Sequence, residues 1–318
     1  MKRVILHIGT PKTGTTSVQW AFKQSRPFLA SLGILYPTTG LSADPHEFAH
    51  HPLARAARKK IAPPWQALAA EIQASACDTV VLSSEELTAL DGKSIEFIRE
   101  ALKGFDLSVV VYLREQVDYI EAMYNQVIKT AKDTRTRDRF LADFLASEAA
   151  DYLGLLDRWT TNLKPSKTAI RIYQKGSLQN GDIIDDFCEL LAVPAERIQR
   201  PARKLNSGVN NKYLELLRQV NSLDVAVNEK NPKIVSVLID LEAAQGSPNP
   251  PLFGPDRRAL IRRFFEAGNR NLARRFLPDH PAGRSIFELD DGALGELAPE
   301  KIEAEHLVPL LVQLLLRA

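Results

Sequence analysis

The stretch Gly9-Thr10-Pro11-Lys12-Thr13-Gly14-Thr15-Thr16 follows an apolar run, Val4-Ile5-Leu6-His7-Ile8, and precedes a helical pattern. A glycine-containing loop between a strand and a helix is the setting in which a backbone cradles phosphate. In a nucleotide triphosphatase the loop reads G-x-x-x-x-G-K-[ST], with the lysine reaching the β/γ-phosphates and the hydroxyl holding magnesium. Here Thr15 stands in that lysine's position, and the loop's lysine, Lys12, lies before Gly14. The loop therefore keeps the anion cradle without the lysine and magnesium grip on a γ-phosphate. Gly14 permits close backbone approach, and the N–H groups of Thr13 to Ser17 open a helix N-terminus, which suits a terminal phosphate or sulfate.

Ligands of an open parallel sheet bind at the carboxyl ends of its strands, so the residues ending each strand come next. The third strand ends at Arg114, whose guanidinium either pairs with a phosphate or makes an ordinary salt bridge. The fourth ends in Ile172-Tyr173-Gln174-Lys175, where Tyr173 either stacks on a base or is a half-buried strand residue. The second ends in Ser83-Ser84-Glu85-Glu86-Leu87, and Glu85 is either a proton acceptor or a helix N-terminal carboxylate. His46, His50 and His51 compete with it as bases. His46-Glu47-Phe48-Ala49-His50 also spells H-E-x-x-H, but Pro45 precedes it and no third ligand can be picked out, so an acceptor-site cluster fits better than zinc. His7 reads as a satisfied core histidine.

Pro11-Lys12-Thr13-Gly14-Thr15-Thr16 matches at every position the pattern P-K-[ST]-G-T-T. That pattern resembles the 5′-phosphosulfate loop of sulfotransferases using 3′-phosphoadenosine 5′-phosphosulfate (PAPS). The resemblance implies that Lys12 stabilises a leaving 5′-phosphate held by Thr10, Thr13, Gly14, Thr15, Thr16 and Ser17. It implies a 3′-phosphate on Arg114, adenine near Tyr173, and a glutamate or histidine base, here Glu85, His50 or His51. His51-Pro52-Leu53-Ala54 is similar to a His-containing element of bacterial members. Arg203-Lys204-Leu205-Asn206-Ser207 sits where relatives close over the 3′-phosphate, which adds Arg203, Asn206 and Ser207. The family's serine eight positions after the arginine is Ala122 here, a departure. The scheme implies PAPS as donor, no metal, and a small-molecule, lipid or carbohydrate acceptor presenting a hydroxyl or amine. The alternatives are a P-loop kinase-like phosphotransferase using ATP and magnesium, and a non-catalytic nucleotide-binding relative.

The elements that must position these groups follow from periodicity. Residues 3–8, 79–83, 108–113 and 169–173 read as strands, and the segments from Thr15 to about Leu32, Trp65 to Ala76, Lys93 to Leu102 and Glu115 to Lys129 as helices. A polar, Pro- and His-containing stretch covers Gly33 to Pro64. Such alternation predicts an α/β fold, a P-loop-type central parallel sheet flanked by helices. After Gly181 the chain reads as helical, broken by a loop at Gly246 to Pro251. The expected organisation is one sulfotransferase-like domain over 1–318, with a core over 1–200 and a helical subregion over 201–318. Arg258, Arg262, Arg270 and Arg274 make a stripe on a late helix whose apolar side is Leu260, Ile261, Phe264, Phe265 and Leu272. Lys132, Arg135 and Arg137 mark a basic loop.

The 318 residues are 45% hydrophobic and 25% charged with a net charge of +2, an ordinary soluble composition that gives no sign of nucleic acid as a partner. Two cysteines, Cys77 and Cys188, read as structural thiols of a reducing compartment. The first apolar run is too short for a signal peptide and no stretch suits a membrane span, so a cytoplasmic protein is expected. The apolar segment Val308 to Leu316 is expected to dock on the body or form a homodimer contact.

Overall fold

The computed structural model describes residues 1–42, 44, 47–130, 133–202, 208–223, 231–245, 248–281 and 283–287. The described residues fall into two compact units, one within 1–115, 151–205 and 268–287, the other within 116–150 and 206–267.

The first unit holds a five-stranded parallel sheet: β1 Arg3–His7, β2 Ile34–Leu35, β3 Thr79–Ser83, β4 Asp106–Leu113 and β5 Lys167–Ile172, in the order β2-β3-β1-β4-β5. This is the expected α/β architecture. β1 pairs with β3 and β4, so that His7 lies level with Ser83 and Val110. The connections leaving β1 and β4 run toward opposite edges, which makes the crevice at their carboxyl ends the natural ligand position. β4 runs three residues past that level and carries its exit to Leu113, beside Ile172 of β5.

Alternate strand residues bury on opposite faces, which is why these runs are almost wholly apolar. On one face Val4, Leu6, Val80, Leu82, Val109 and Val111 pack with residues of α4 Ala62–Ala74, α5 Gly92–Ala101 and α8 Tyr152–Leu163. On the other, Ile5, Val81, Val110 and Tyr112 meet Val18 and Phe22 of α1 Thr15–Gln24 and Phe187 of α9 Ile183–Leu190.

Three local readings change. The first helix stops at Gln24, and Pro27 occupies the first turn of a separate α2, Arg26–Ser31, where its missing N–H costs nothing. The stretch from Gly33 to Pro64 contains β2 and α3 His51–Arg58. A two-residue strand carries no periodicity, and α3 buries only Leu53 and three alanines.

The second unit is helical. α6 Gln116–Thr130, α7 Arg137–Leu145, α10 Leu214–Asn221 and the helix Asn231–Gln245 enclose Tyr124, Phe140, Leu217 and Leu238. In the helix Pro255–Phe276, Ile261 is buried in this unit's core and Leu272 in that of the first. Leu260 and Phe264, expected on the apolar side, are exposed, and Arg258 turns inward instead to Glu121 at 2.7 Å.

Candidate functional site

β1 delivers its carboxyl end into the loop of residues 8–14, which turns into α1. The turn needs Gly14 in the left-handed region, with φ 75° and ψ 12°. It also needs Gly9, because a Cβ there would stand 2.3 Å from the Thr15 methyl. Lys12 is left-handed as well, at φ 65°, a conformation an L-residue holds only at some cost. The Thr10 hydroxyl donates to Tyr112 O at 2.7 Å and the Thr13 hydroxyl to Thr10 O at 2.7 Å, both buried. Both hydroxyl protons thereby brace the loop. The Ser17 amide donates to Gly14 O at 3.0 Å, while the opening turn of α1 supplies the orphan N–H donors and positive dipole end that an anion requires.

The exits of β4 and β5 lie against this loop. Arg114 Nη1 donates to Lys12 O at 3.1 Å, its guanidinium carbon lies 5.9 Å from the Tyr173 ring centroid, and its carbonyl accepts from Tyr152 OH at 2.7 Å. Tyr173 N donates to Leu113 O at 2.7 Å, and a Cβ on Gly14 would come within 3.2 Å of the Tyr173 ring. Lys12, Gly14, Arg114 and Tyr173, separated by up to 161 positions in the chain, thus surround one mouth. Arg203, Asn206 and Ser207 lie outside the described residues. Ala122 lies on α6, in the second unit.

Beneath this mouth the network that holds β4 is buried. Asp186 accepts from Tyr112 OH at 2.7 Å, from Arg171 Nε at 2.8 Å and from Gln179 N at 3.0 Å. Burial alone would raise its carboxyl, but the Arg171, Tyr112 and Gln179 donors together hold it below the usual value. Sequence reading passed over Asp186, because a single aspartate in a helical pattern carries no signal of its partners.

β3 brings the carboxylate. Glu85 opens a 3₁₀ turn, Glu85–Ala89, directly after the strand, and the Thr15 hydroxyl donates to its Oε1. Its Oε2 stands 3.6 Å from His51 Nε2. His51, the first residue of α3, has Nδ1 2.7 Å from Ser84 Oγ. Thr15, Glu85 and His51 are therefore gathered at the amino end of α1.

His50 separates from this group. It is buried, its Nδ1 accepts from Ser83 N at 3.2 Å, and its Nε2 faces Pro37 O at 3.2 Å, an arrangement that puts the ring proton on Nε2. Burial lowers its pKa to about 4. Both nitrogens hold backbone, so the expectation of His50 as a base is corrected to a structural role. His7 is buried with Nδ1 2.8 Å from Ser83 Oγ, but Nε2 has no partner among the described residues, so it is a core histidine only half satisfied. Burial takes it to about 3.

His46 lies outside the described residues. Glu47 to His50 precede the helix rather than riding on it, whereas H-E-x-x-H acts from within a helix. Among the described residues no group of three or more His, Cys, Asp or Glu side chains could hold a metal ion. Both cysteines are buried free thiols. Among the described residues no helix is long and apolar enough to cross a membrane. The segment 308–316, expected to dock or dimerise, lies outside the described residues, as does Lys132. Within the second unit Arg135 is tied to Asp133 and Asp143, and Arg137 to Leu252 O at 3.0 Å.

No family model matches the chain. Over 197 residues, 62% of its length, the chain is 23% identical to an uncharacterized protein of Archaeoglobus fulgidus, and spans 53% of that relative. The crystal structure of a sulfotransferase from Alicyclobacillus acidocaldarius aligns with a TM-score of 0.39 and 12% identity, covering 78% of this chain and 97% of that one. At these levels neither relative assigns a function to the chain.

Proposed function

We propose that this protein is a sulfotransferase that moves a sulfuryl group from PAPS to a hydroxyl or amine of a small-molecule or carbohydrate acceptor. The observation that carries the reading is the hydrogen bond from Thr15 to Glu85. It supports a carboxylate standing beside the anion-binding end of α1, in the place where a nucleotide triphosphatase keeps its lysine. A proton acceptor there suits nucleophilic attack on a sulfuryl group, whereas it opposes the approach of a γ-phosphate.

In this reading the 5′-phosphate of PAPS lies on the opening N–H groups of α1 with Lys12 over it. The 3′-phosphate pairs with Arg114, and the adenine lies on Tyr173. The acceptor heteroatom forms a bond to sulfur while the bond from sulfur to the bridging oxygen of the 5′-phosphate breaks. Its proton passes to Glu85, and the electron pair of the broken bond leaves with adenosine 3′,5′-bisphosphate. Lys12 and the helix terminus neutralise the charge that grows on the leaving phosphate, so catalysis rests on positioning and electrostatics.

Titration calorimetry tests the reading. Adenosine 3′,5′-bisphosphate is expected to bind without a divalent ion and more tightly than ADP with magnesium; the reverse order would sink it in favour of a kinase-like phosphotransferase. Tight binding of the bisphosphate without turnover across a broad acceptor panel would instead mark a non-catalytic relative, which the alanine at position 122 would suit.

A further inference from the structure

Two groups behind Glu85 take no part in the bond changes described above. Ser84 is fully buried and caps the 3₁₀ turn, its Oγ accepting from Glu86 N at 3.2 Å, while its own amide donates to His7 O at 3.2 Å. Its hydroxyl proton still needs an acceptor, and His51 Nδ1 lies 2.7 Å away. A hydroxyl that already receives an N–H donates its proton to a bare imidazole nitrogen, which leaves the ring proton on Nε2. Nε2 is the atom that faces Glu85 Oε2 at 3.6 Å. A bare nitrogen lone pair pointed at a carboxylate would be repelled, so the same tautomer is favoured from the other side. With Nδ1 taken by Ser84 and Nε2 protonated, His51 has no lone pair left for the acceptor's proton.

We propose that Ser84 and His51 are positioning residues for the proton acceptor Glu85: Ser84 fixes the Nε2–H tautomer of His51, and His51 holds Oε2 while Thr15 holds Oε1. The assignment presupposes the sulfuryl-transfer reading of the same site. During transfer the proton moves from the acceptor heteroatom to Glu85, and neither His51 nor Ser84 gains or loses one. Both carboxylate oxygens keep an unused lone pair, so being held from two sides does not block proton uptake.

The test pairs a spectroscopic readout with a substitution series on the full chain. Long-range nitrogen–proton NMR spectra of the imidazoles, with the His51 signal assigned by its loss in His51→Gln, are expected to show a protonated Nε2 and a bare Nδ1. Ser84→Ala should convert that ring to a mixture of tautomers. A protonated Nδ1 in the wild-type protein, or a tautomer untouched by Ser84→Ala, would overturn the proposal.

Turnover is followed as bisphosphate release from PAPS with a fixed mixture of monosaccharides and amino sugars. His51→Gln keeps an N–H donor at the ε position and is expected to retain kcat within about threefold, whereas His51→Ala and His51→Asn lose up to roughly 100-fold through misplacement of the carboxylate. Glu85→Gln is expected to lose about 10²- to 10⁴-fold. A His51→Gln loss as deep as that of Glu85→Gln would make His51 itself the proton acceptor and overturn the assignment. Ser84→Ala should cost kcat in the wild-type background and nothing further in His51→Ala; full additivity contradicts the proposed chain. Bisphosphate affinity should stay unchanged across the series. If the wild-type protein binds no bisphosphate, the sulfuryl-transfer reading falls while the tautomer result stands separately.

Discussion

The Thr15 hydroxyl donates to Glu85 Oε1 across 70 positions of sequence, joining the first turn of α1 to the exit of β3. Register makes this meeting possible. β1 and β3 are adjacent and parallel, with His7 level with Ser83, so the loop after one strand and the turn after the other leave the sheet side by side. A hydrogen bond to a charged partner is worth about 1.5–3 kcal/mol, enough to fix the orientation of a partly exposed carboxylate.

Thr15→Val keeps the shape of the side chain and removes its proton, whereas Thr15→Ser keeps the proton and removes a methyl. We expect Thr15→Val to lower kcat by roughly 10- to 100-fold, the equivalent of one such hydrogen bond, and Thr15→Ser to stay near wild type. Steady-state kinetics with PAPS checks this. Equal losses in the two variants would mean that packing against Gly9, not the proton, is what the site needs from Thr15.

Lys12 separates charge from backbone conformation. Its φ of 65° is one that glycine adopts freely and alanine does not. Lys12→Gly should therefore abolish turnover while stabilising the fold by about 1 kcal/mol, because it removes the left-handed Cβ penalty, whereas Lys12→Ala should abolish turnover with stability near wild type, since lysine already bears that penalty. Urea denaturation of the two variants beside their activity distinguishes the contributions. Full retained turnover in either would remove Lys12 from the mechanism.

Arg114 is tested by ligand chemistry. With the guanidinium present, adenosine 3′,5′-bisphosphate should bind more tightly than adenosine 5′-monophosphate. Arg114→Ala should erase that preference while leaving the monophosphate affinity within about threefold, and Arg114→Lys should restore it only partly, since an ammonium lacks the planar fork. Calorimetry with both nucleotides gives the answer. A preference that survives Arg114→Ala assigns the 3′-phosphate to other residues.

Acid should destabilise the protein through His50. An unfolded histidine takes up its proton near pH 6.5, while burial delays uptake by folded His50 to about 4. Between these values the unfolded chain binds more protons, so stability falls as pH drops, by at most about 1.4 kcal/mol per unit for each such histidine. His7, lowered to about 3, adds to the same slope. Urea titrations at pH 7 and 4.5 should show a shallower pH dependence for His50→Gln, together with lower stability at pH 7 from the lost backbone contacts. An unchanged slope would mean that His50 is already charged in the native state.

Asp186→Asn should destabilise the first unit by about 3 kcal/mol, because it leaves the Arg171 guanidinium beside an uncharged buried partner. Glu189, 2.7 Å from Arg171, moderates the loss. The same substitution should weaken bisphosphate binding, since Asp186 holds the Tyr112 ring while the Tyr112 carbonyl holds Thr10 of the loop. A shift in melting temperature with unaltered affinity would uncouple the two.

By itself the sequence determined the parts that depend on local order. The apolar runs at 3–8, 79–83, 108–113 and 169–173 must bury on both sides, and a parallel sheet covered by helices is how a chain alternating them with helices does so. The displaced lysine was equally plain, because the spacing of Lys12, Gly14 and Thr15 is a property of eight adjacent residues. Tertiary structure decided what each side chain faces. Thr10, Thr13 and Thr15 look alike in sequence, yet two brace the loop and the third meets Glu85. His50 and His51 are neighbours in the chain. The helix that begins between them turns His50 into the core, where burial and two backbone partners keep it neutral, and leaves His51 beside the carboxylate. β2 and α3 escaped the sequence for a related reason: two residues carry no period, and a helix that buries one leucine and three alanines announces itself only through the strand ends it packs on.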